Sequence, residues 1–184
     1  MVEKKWQEAA EMFQASLRQR PGQPDTLRRL GEAEHKLHLY DEAIGHFHEA
    51  LALRPDDGET LQGLARSLCD SDDLVPAMAA SERAVELLPG SADARFTRAF
   101  IHRMRGDRPQ AIAGYEETLA IRPGMARALA GLADLHHFTP GDPLIDRIAA
   151  QRQDPGTSLL DRSNLTFALG KAHEDLGDRK AAFD

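Results

Sequence analysis

YDEAIGHFHEALALRPDD, from Tyr40 to Asp57, is one of four versions of a single stretch in this chain. Upstream it reads WQEAAEMFQASLRQRPGQ (Trp6 to Gln23). Downstream it reads LVPAMAASERAVELLPGS (Leu74 to Ser91) and then RPQAIAGYEETLAIRPGM (Arg108 to Met125). The prolines Pro21, Pro55, Pro89 and Pro123 set the step at 34 residues. Ala9, Ala43, Ala77 and Ala111 keep that step, and so do Phe13, Phe47, Ser81 and Tyr115. A second small position recurs at Gly31, Ala65, Ala99 and Ala133. Agreement held over successive steps makes the chain an array of repeats.

The spacing inside each copy is helical. Ala43, Ile44, Phe47, Ala50 and Leu51 follow the i, i+3, i+4, i+7 rhythm of one helix face. Each proline then ends its helix, because it lacks an N–H and disfavours the α conformation in the residue before it. A unit of two antiparallel helices accounts for the pattern. Small residues let the backbones approach, large ones fill the gap to the next helix, and a unit that cannot bury its own apolar face must stack on its neighbours. The pitch, a Leu-Gly pair in one helix, a small-then-aromatic pair in the next and a closing proline resemble the tetratricopeptide repeat. The resemblance implies an all-α, right-handed superhelical solenoid of antiparallel helix pairs.

The units follow from the step, within a single solenoid domain over 1–184. Residues 1–23 hold the second helix of a partial repeat, and 24–57, 58–91 and 92–125 are full repeats. Residues 126–157 form a degenerate repeat: Ala133 finds its counterpart only at Gly170, a step of 37, and Ile145 stands where the others carry alanine. Asp142 is the expected N-cap of its second helix, with Pro143 in the first turn. Residues 158–184 read as a truncated final repeat, with a helix near 159–176, a turn at Gly177 and about one turn of helix after it. Both ends therefore read as cut from something longer, and Met1 is either native or added. On this reading Leu165, Ala168, Leu169 and Ala172 lack their covering helix, so the end frays or self-associates with another copy.

Composition narrows the function. Apolar residues make up 41% and charged residues 29%, the balance of a folded, soluble chain. A net charge of −7 argues against nucleic acid as a partner. No apolar run reaches the length of a membrane span, and the charged N-terminus lacks the features of a signal peptide. A single cysteine, Cys69, fits a reducing compartment and a cytoplasmic location.

No catalytic, cofactor-binding or metal residue is expected. His35 and His38 have metal-ligand spacing on a helix but no converging partner, so solvated histidines are the competing reading. Asp70, Asp72 and Asp73 fall in a turn, where capping is their ordinary work. Cys69 has no neighbour that would stabilise a thiolate.

The first helices of such units line a concave groove. There the pattern places Asp25, Arg28, Glu32 and His35, then Glu59, Gln62, Arg66 and Cys69, then Asp93, Phe96, Phe100 and Arg103, then Arg127, Ala130, Asp134 and His137. The candidate peptide-binding residues are Arg28, Gln62, Arg66, Phe96, Phe100, Arg103 and Arg127. Phe96 and Phe100 either anchor a peptide in the groove or belong to a core between repeats. The residue set that clamps chaperone C-termini needs Lys and Asn, whereas here Glu32 follows Arg28, and Gly63 and Asp93 occupy other clamp places. That argues against a heat-shock-chaperone adaptor.

LADLHHFTPGDPLIDRI and LLDRSNLTFALGKAHEDLGDRKAAFD, Leu132 to Asp184, also resemble the repeat region of bacterial tetratricopeptide-repeat sulfotransferases. Their best-matched parts are DPLI and NLTFALGKAHEDLGD. The resemblance implies a repeat module N-terminal to a domain that uses 3′-phosphoadenylyl sulfate. It carries no catalytic residue onto this chain, which has no phosphate-cradling Gly-rich loop. The expected role is thus a protein- or peptide-binding scaffold, either in a sulfotransferase-like protein or as a free-standing adaptor.

Overall fold

In the computed structural model, which describes residues 2–178, all regular structure among the described residues is α-helical. The helices are α1 (Val2–Gln19), α2 (Pro24–Lys36), α3 (Tyr40–Leu53), α4 (Gly58–Asp70), α5 (Leu74–Leu87), α6 (Ala92–Met104), α7 (Arg108–Ile121), α8 (Ala126–Leu135), α9 (Pro143–Gln153) and α10 (Leu159–Asp175). The chain divides into two compact units, Met1–Arg105 and Gly106–Asp184.

In the first unit each helix packs on the next, and α2, α4 and α6 also touch one another in sequence. The turns inside the repeats share one device. His38, Asp72 and Gly106, spaced by 34, all adopt left-handed backbone, with φ of 60°, 66° and 80°. The N–H of the following residue then reaches back to the helix, Leu39 to the Glu34 carbonyl and Asp73 to the Leu68 carbonyl. Between repeats, Arg54 and Leu88 leave the helical conformation ahead of their prolines, with ψ of 84° and 62°, which stops α3 and α5. Asp57 then caps α4 by accepting from the N–H groups of Glu59 and Thr60, and Ser91 caps α6 by accepting from Ala94.

Two clusters stand out in the core of this unit among the described residues. Ala10, Leu30 and Ala33 join α1 to α2, with Trp6, Phe13 and Leu37 against them. Phe47, Leu64, Leu68, Ala77, Ala84 and Ile101 belong to a larger cluster over α3 to α6. Phe47 is fully buried, its ring held between Gly31 and Gly63. A Cβ at Gly31 would lie 2.9 Å from the ring and one at Gly63 2.6 Å, so side chains are excluded at both positions.

In the second unit α8 packs on α7, α9 and α10, and α9 packs on α10. Tyr115 is fully buried here and faces Gly131 as Phe47 faces its glycines. The degenerate repeat also lies in this unit. α8 ends early at His136, and an irregular stretch runs to Asp142, which caps α9 through the Leu144 N–H. Phe138 in this stretch is buried, and its N–H donates to Asp175 of α10 at 3.1 Å. The extra residues of this stretch accompany the change of step from 34 to 37. α9 buries Leu144 and Ile148, one residue out of phase with Ala43 and Phe47, while Ile145 is only half-buried.

One expectation is corrected here. Leu165, Ala168, Leu169 and Ala172 are all buried, on a helix that packs against α8 and α9. An uncovered face at these positions is therefore no ground for fraying or self-association. Gly177 makes the turn after α10 with φ of 76°. The short helical stretch expected after it lies outside the described residues.

Candidate functional site

α2 and α4 run parallel and in register, since each follows its predecessor through one antiparallel helix. Polar contacts tie them at both ends: Arg28 Nη2 lies 3.1 Å from Glu59 Oε2 near their N-terminal ends, and His35 lies 3.0 Å from Ser67 Oγ through Nδ1 and 3.6 Å from the Asp70 carboxylate through Nε2 near their C-terminal ends. Along their shared face runs a cleft of about 550 Å³. α2 contributes Arg28, Glu32 and Lys36 on successive turns; α4 contributes Glu59, Gln62 and Arg66. Trp6 closes one side, and Leu88, Ser91 and Asp93 close the other.

The charges here are partly organised among themselves. Arg28, only 16% exposed, is gripped by Glu32 at 2.6 Å and by Glu59 at 3.1 Å. Both carboxylates remain accessible to a ligand, at 39% and 63% exposure.

Of the residues expected to bind peptide, Arg28, Gln62 and Arg66 come together in this cleft. Phe96, Phe100 and Arg103 form a separate run on α6. The two rings stack with centroids 6.2 Å apart, and the Arg103 guanidinium lies 4.9 Å from the Phe100 centroid. Phe100 also packs on the edge of the larger core, and both rings are half-buried. Arg127 sits at the start of α8 in the second unit, beside a small polar cleft with Arg122, Gln151 and Asp161.

Two positions assigned to the groove point elsewhere. His35 is buried, 3.0 Å from Ser67 and 3.6 Å from the Asp70 carboxylate, with its ring against Tyr40. The solvated-histidine reading therefore fails for His35. Burial, with the nearby charges of Arg66, Lys36 and His38, pushes it down to about 4. Cys69 is buried in the larger core cluster, and burial together with Asp70 and Asp72 pushes its thiol up to about 11. Each lies three residues beyond a cleft residue, His35 after Glu32 and Cys69 after Arg66, a step short of a full turn that aims it at the neighbouring helix. Beside His35, Glu34 is buried as well, with His46 Nδ1 2.7 Å from its carboxylate. Burial raises the Glu34 carboxyl, and the His46 bond opposes that rise.

Trp6, Lys36, Leu88 and Ser91 were not expected in the site. Lys36 was legible, standing one turn beyond Glu32; Trp6 was not, because it comes from a second helix. Among the described residues, no group of three or more His, Cys, Asp or Glu side chains could hold a metal ion. No helix among them is long and apolar enough to cross a membrane.

Residues 24–57 match the family model described as tetratricopeptide repeat. The structure superimposes on a thermophilic tetratricopeptide-repeat protein of Thermus thermophilus with a TM-score of 0.75, at 20% identity, covering 90% of this chain and 91% of that one. The fold is that of tetratricopeptide-repeat proteins. PilW, a type IV pilus biogenesis factor, gives a TM-score of 0.79 at 18% identity over 100% of this chain and 84% of its own. The first tetratricopeptide domain of Spaghetti (RPAP3), bound to the HSP90 peptide SRMEEVD, gives 0.59 at 20% identity over 61% and 89%. In sequence, the chain is 33% identical over 119 residues to the Hsp70-Hsp90 organizing protein of Triticum aestivum. That alignment covers 65% of this chain and 20% of the wheat protein, so the chain spans about a fifth of that relative's length.

Proposed function

We propose that this chain is a protein-binding scaffold that takes an extended segment of a partner into the cleft between α2 and α4. The carrying observation is the cleft itself, a concave strip where two parallel helices present charged and polar side chains beside an indole. The names of the wheat relative and of the peptide-bound Spaghetti domain support a peptide ligand. The role is binding rather than catalysis, and the single cysteine supports a cytoplasmic setting.

The test is direct, because Trp6 is the chain's only tryptophan and lines the cleft. Peptides selected from a random display library on the intact chain, with SRMEEVD as a first defined probe, should change Trp6 fluorescence and give saturable heat. Gln62→Phe, which fills the cleft from α4, should abolish both. Selected peptides that bind this variant as well as the wild type would sink the proposal.

The stretches DPLI and NLTFALGKAHEDLGD support a narrower reading, that of the N-terminal repeat module of a sulfotransferase-like protein. The alternative is a free-standing adaptor. A coding sequence that continues past Asp184 into a strand, a phosphate loop and a helix would favour the first, and further 34-residue units the second. In either case the isolated chain should give no calorimetric binding of 3′-phosphoadenylyl sulfate.

A further inference from the structure

The cleft between α2 and α4 is electrically two-ended. The contacts of Arg28 with Glu59 and of His35 with Ser67 place residues of the same height about 31 or 32 apart in sequence. At the N-terminal end, the carboxylates of Glu32 and Glu59 both lean onto Arg28, and Asp93, one repeat beyond Glu59, lines the same cleft. Two carboxylates there share one guanidinium. At the other end, Lys36 and Arg66 come to nearly the same height, and both line the cleft. Asp70, one turn beyond Arg66 and outside the lining, feels both cations and offsets part of their charge.

From Arg28 to Lys36 is eight residues of helix, about 12 Å at 1.5 Å per residue. An extended peptide covers that distance in about three to four residues. A segment with one positive and one negative group at that separation meets opposite charge at both ends. A segment with two like charges meets repulsion at one of them.

We infer that the cleft selects an extended peptide carrying a basic and an acidic group about three to four residues apart, the basic group at Glu32 and Glu59 and the acidic group at Lys36 and Arg66. This rests on the proposed peptide-binding role and adds the chemistry of the ligand to it. Chain direction is left to the peptide, since either order of charges can be laid along the cleft. The selectivity lies in sign and spacing.

The experiment uses the intact chain and capped ten-residue peptides of Ser, Thr and Leu. Each carries one Lys and one Glu separated by one to six positions, and matched controls carry two Lys or two Glu. Affinities are read from Trp6 fluorescence and checked by calorimetry. The expected result is a maximum at a separation of three to four, about fivefold above the other spacings and the like-charged controls, on the scale of a partly exposed ion pair. The preference should fade at high salt. Lys36→Glu with Arg66→Glu should invert it toward the two-Lys peptides. Should that double variant melt early, Glu59→Gln, at an exposed position, should lower the preference for Lys over Glu at the first end. Equal affinity for every spacing and sign, still abolished by Gln62→Phe, would overturn the charge rule and leave the binding role standing. Absence of any Trp6 response or heat from all of these peptides and from library-selected ones would overturn both.

Discussion

The repeats 24–57 and 58–91 share helix lengths and turns, yet their interiors are built differently. At one position of the second helix the first repeat has Phe47 and the second has Ser81, both buried. Around Phe47 the adjoining first helices carry Gly31 and Gly63. One period on, the equivalents of those glycines are Ala65 and Thr97, both buried. Volume is thus traded across helices: a large ring with two absent side chains, or a small hydroxyl with two present ones. The Ser81 hydroxyl donates to the Met78 carbonyl at 2.8 Å, which satisfies it locally. Polarity is traded too. The first repeat buries Glu34 and His35 where the second buries Leu68 and Cys69. A 34-residue repeat therefore keeps the fit between neighbours while single positions change freely.

The trade can be broken most severely at Phe47. Phe47→Ala should lower stability by about 3–5 kcal/mol, because two glycines cannot refill the space. Ser81→Ala, which leaves no comparable void, should cost far less. Gly63→Ala should destabilise by about 1–3 kcal/mol in the presence of Phe47 and by much less in Phe47→Leu. Urea melts of the two single variants and the double would show the coupling. Strict additivity would mean that the ring and the glycine are not matched.

The polarity difference should show in pH. His35 is held near 4 when folded but titrates near 6.5 when unfolded. The unfolded chain therefore takes up the proton first as pH falls. His35 should cost stability from about pH 6.5 down to about 4, up to roughly 3 kcal/mol in all. Glu34 acts in the opposite sense, since its raised carboxyl binds a proton more tightly in the folded state. Lys36, Arg66 and His38 disfavour the charged imidazole, the Asp70 carboxylate lies within 3.6 Å of the ring, and Tyr40 packs against it. Replacing His35 with Gln should flatten the loss between pH 6.5 and 4, leaving the opposing Glu34 contribution. An unchanged slope in the variant would rule out His35 as its source.

The positions where the two repeats agree should tolerate change least evenly. Ala77 is fully buried, as Ala43 is, while Ala52 is exposed. Ala77→Leu should cost about 1–3 kcal/mol, and Ala52→Leu should be close to neutral; equal melting temperatures would mean the helix faces have been misassigned.

The smallest effect belongs to the turns. Asp72 has left-handed backbone where the third repeat places Gly106. Asp72→Gly should stabilise by about 0.5 kcal/mol or leave stability unchanged, relief of the backbone being offset by unfolded-chain entropy. His38→Gly also loses the 2.7 Å contact between the imidazole and the Tyr40 hydroxyl, and should gain less.

The pitch, the helix ends and the slip after Ala133 were legible because prolines and small residues mark them at fixed spacing. The cleft was half legible. Arg28, Gln62 and Arg66 lie on the strip that the helical period predicts. His35 and Cys69 lie three residues along from Glu32 and Arg66, a rotation of about 300° that falls about 60° short of a full turn and carries them from the cleft to the seam between α2 and α4 or into the core. No composition rule separates those faces. The phase of α9, which buries Leu144 and Ile148, was hidden for a related reason: once the 34-residue step is lost, a pattern cannot tell which way a helix is rotated.

Cys69 has a consequence for measuring motion. The chain's sole thiol is sealed in the core of the first unit and held protonated up to about pH 11. A thiol reagent in neutral buffer therefore has essentially nothing to attack until the surrounding helices part. The labelling rate becomes a stopwatch for that opening, with no dye or added residue, and ligand in the neighbouring cleft should slow it.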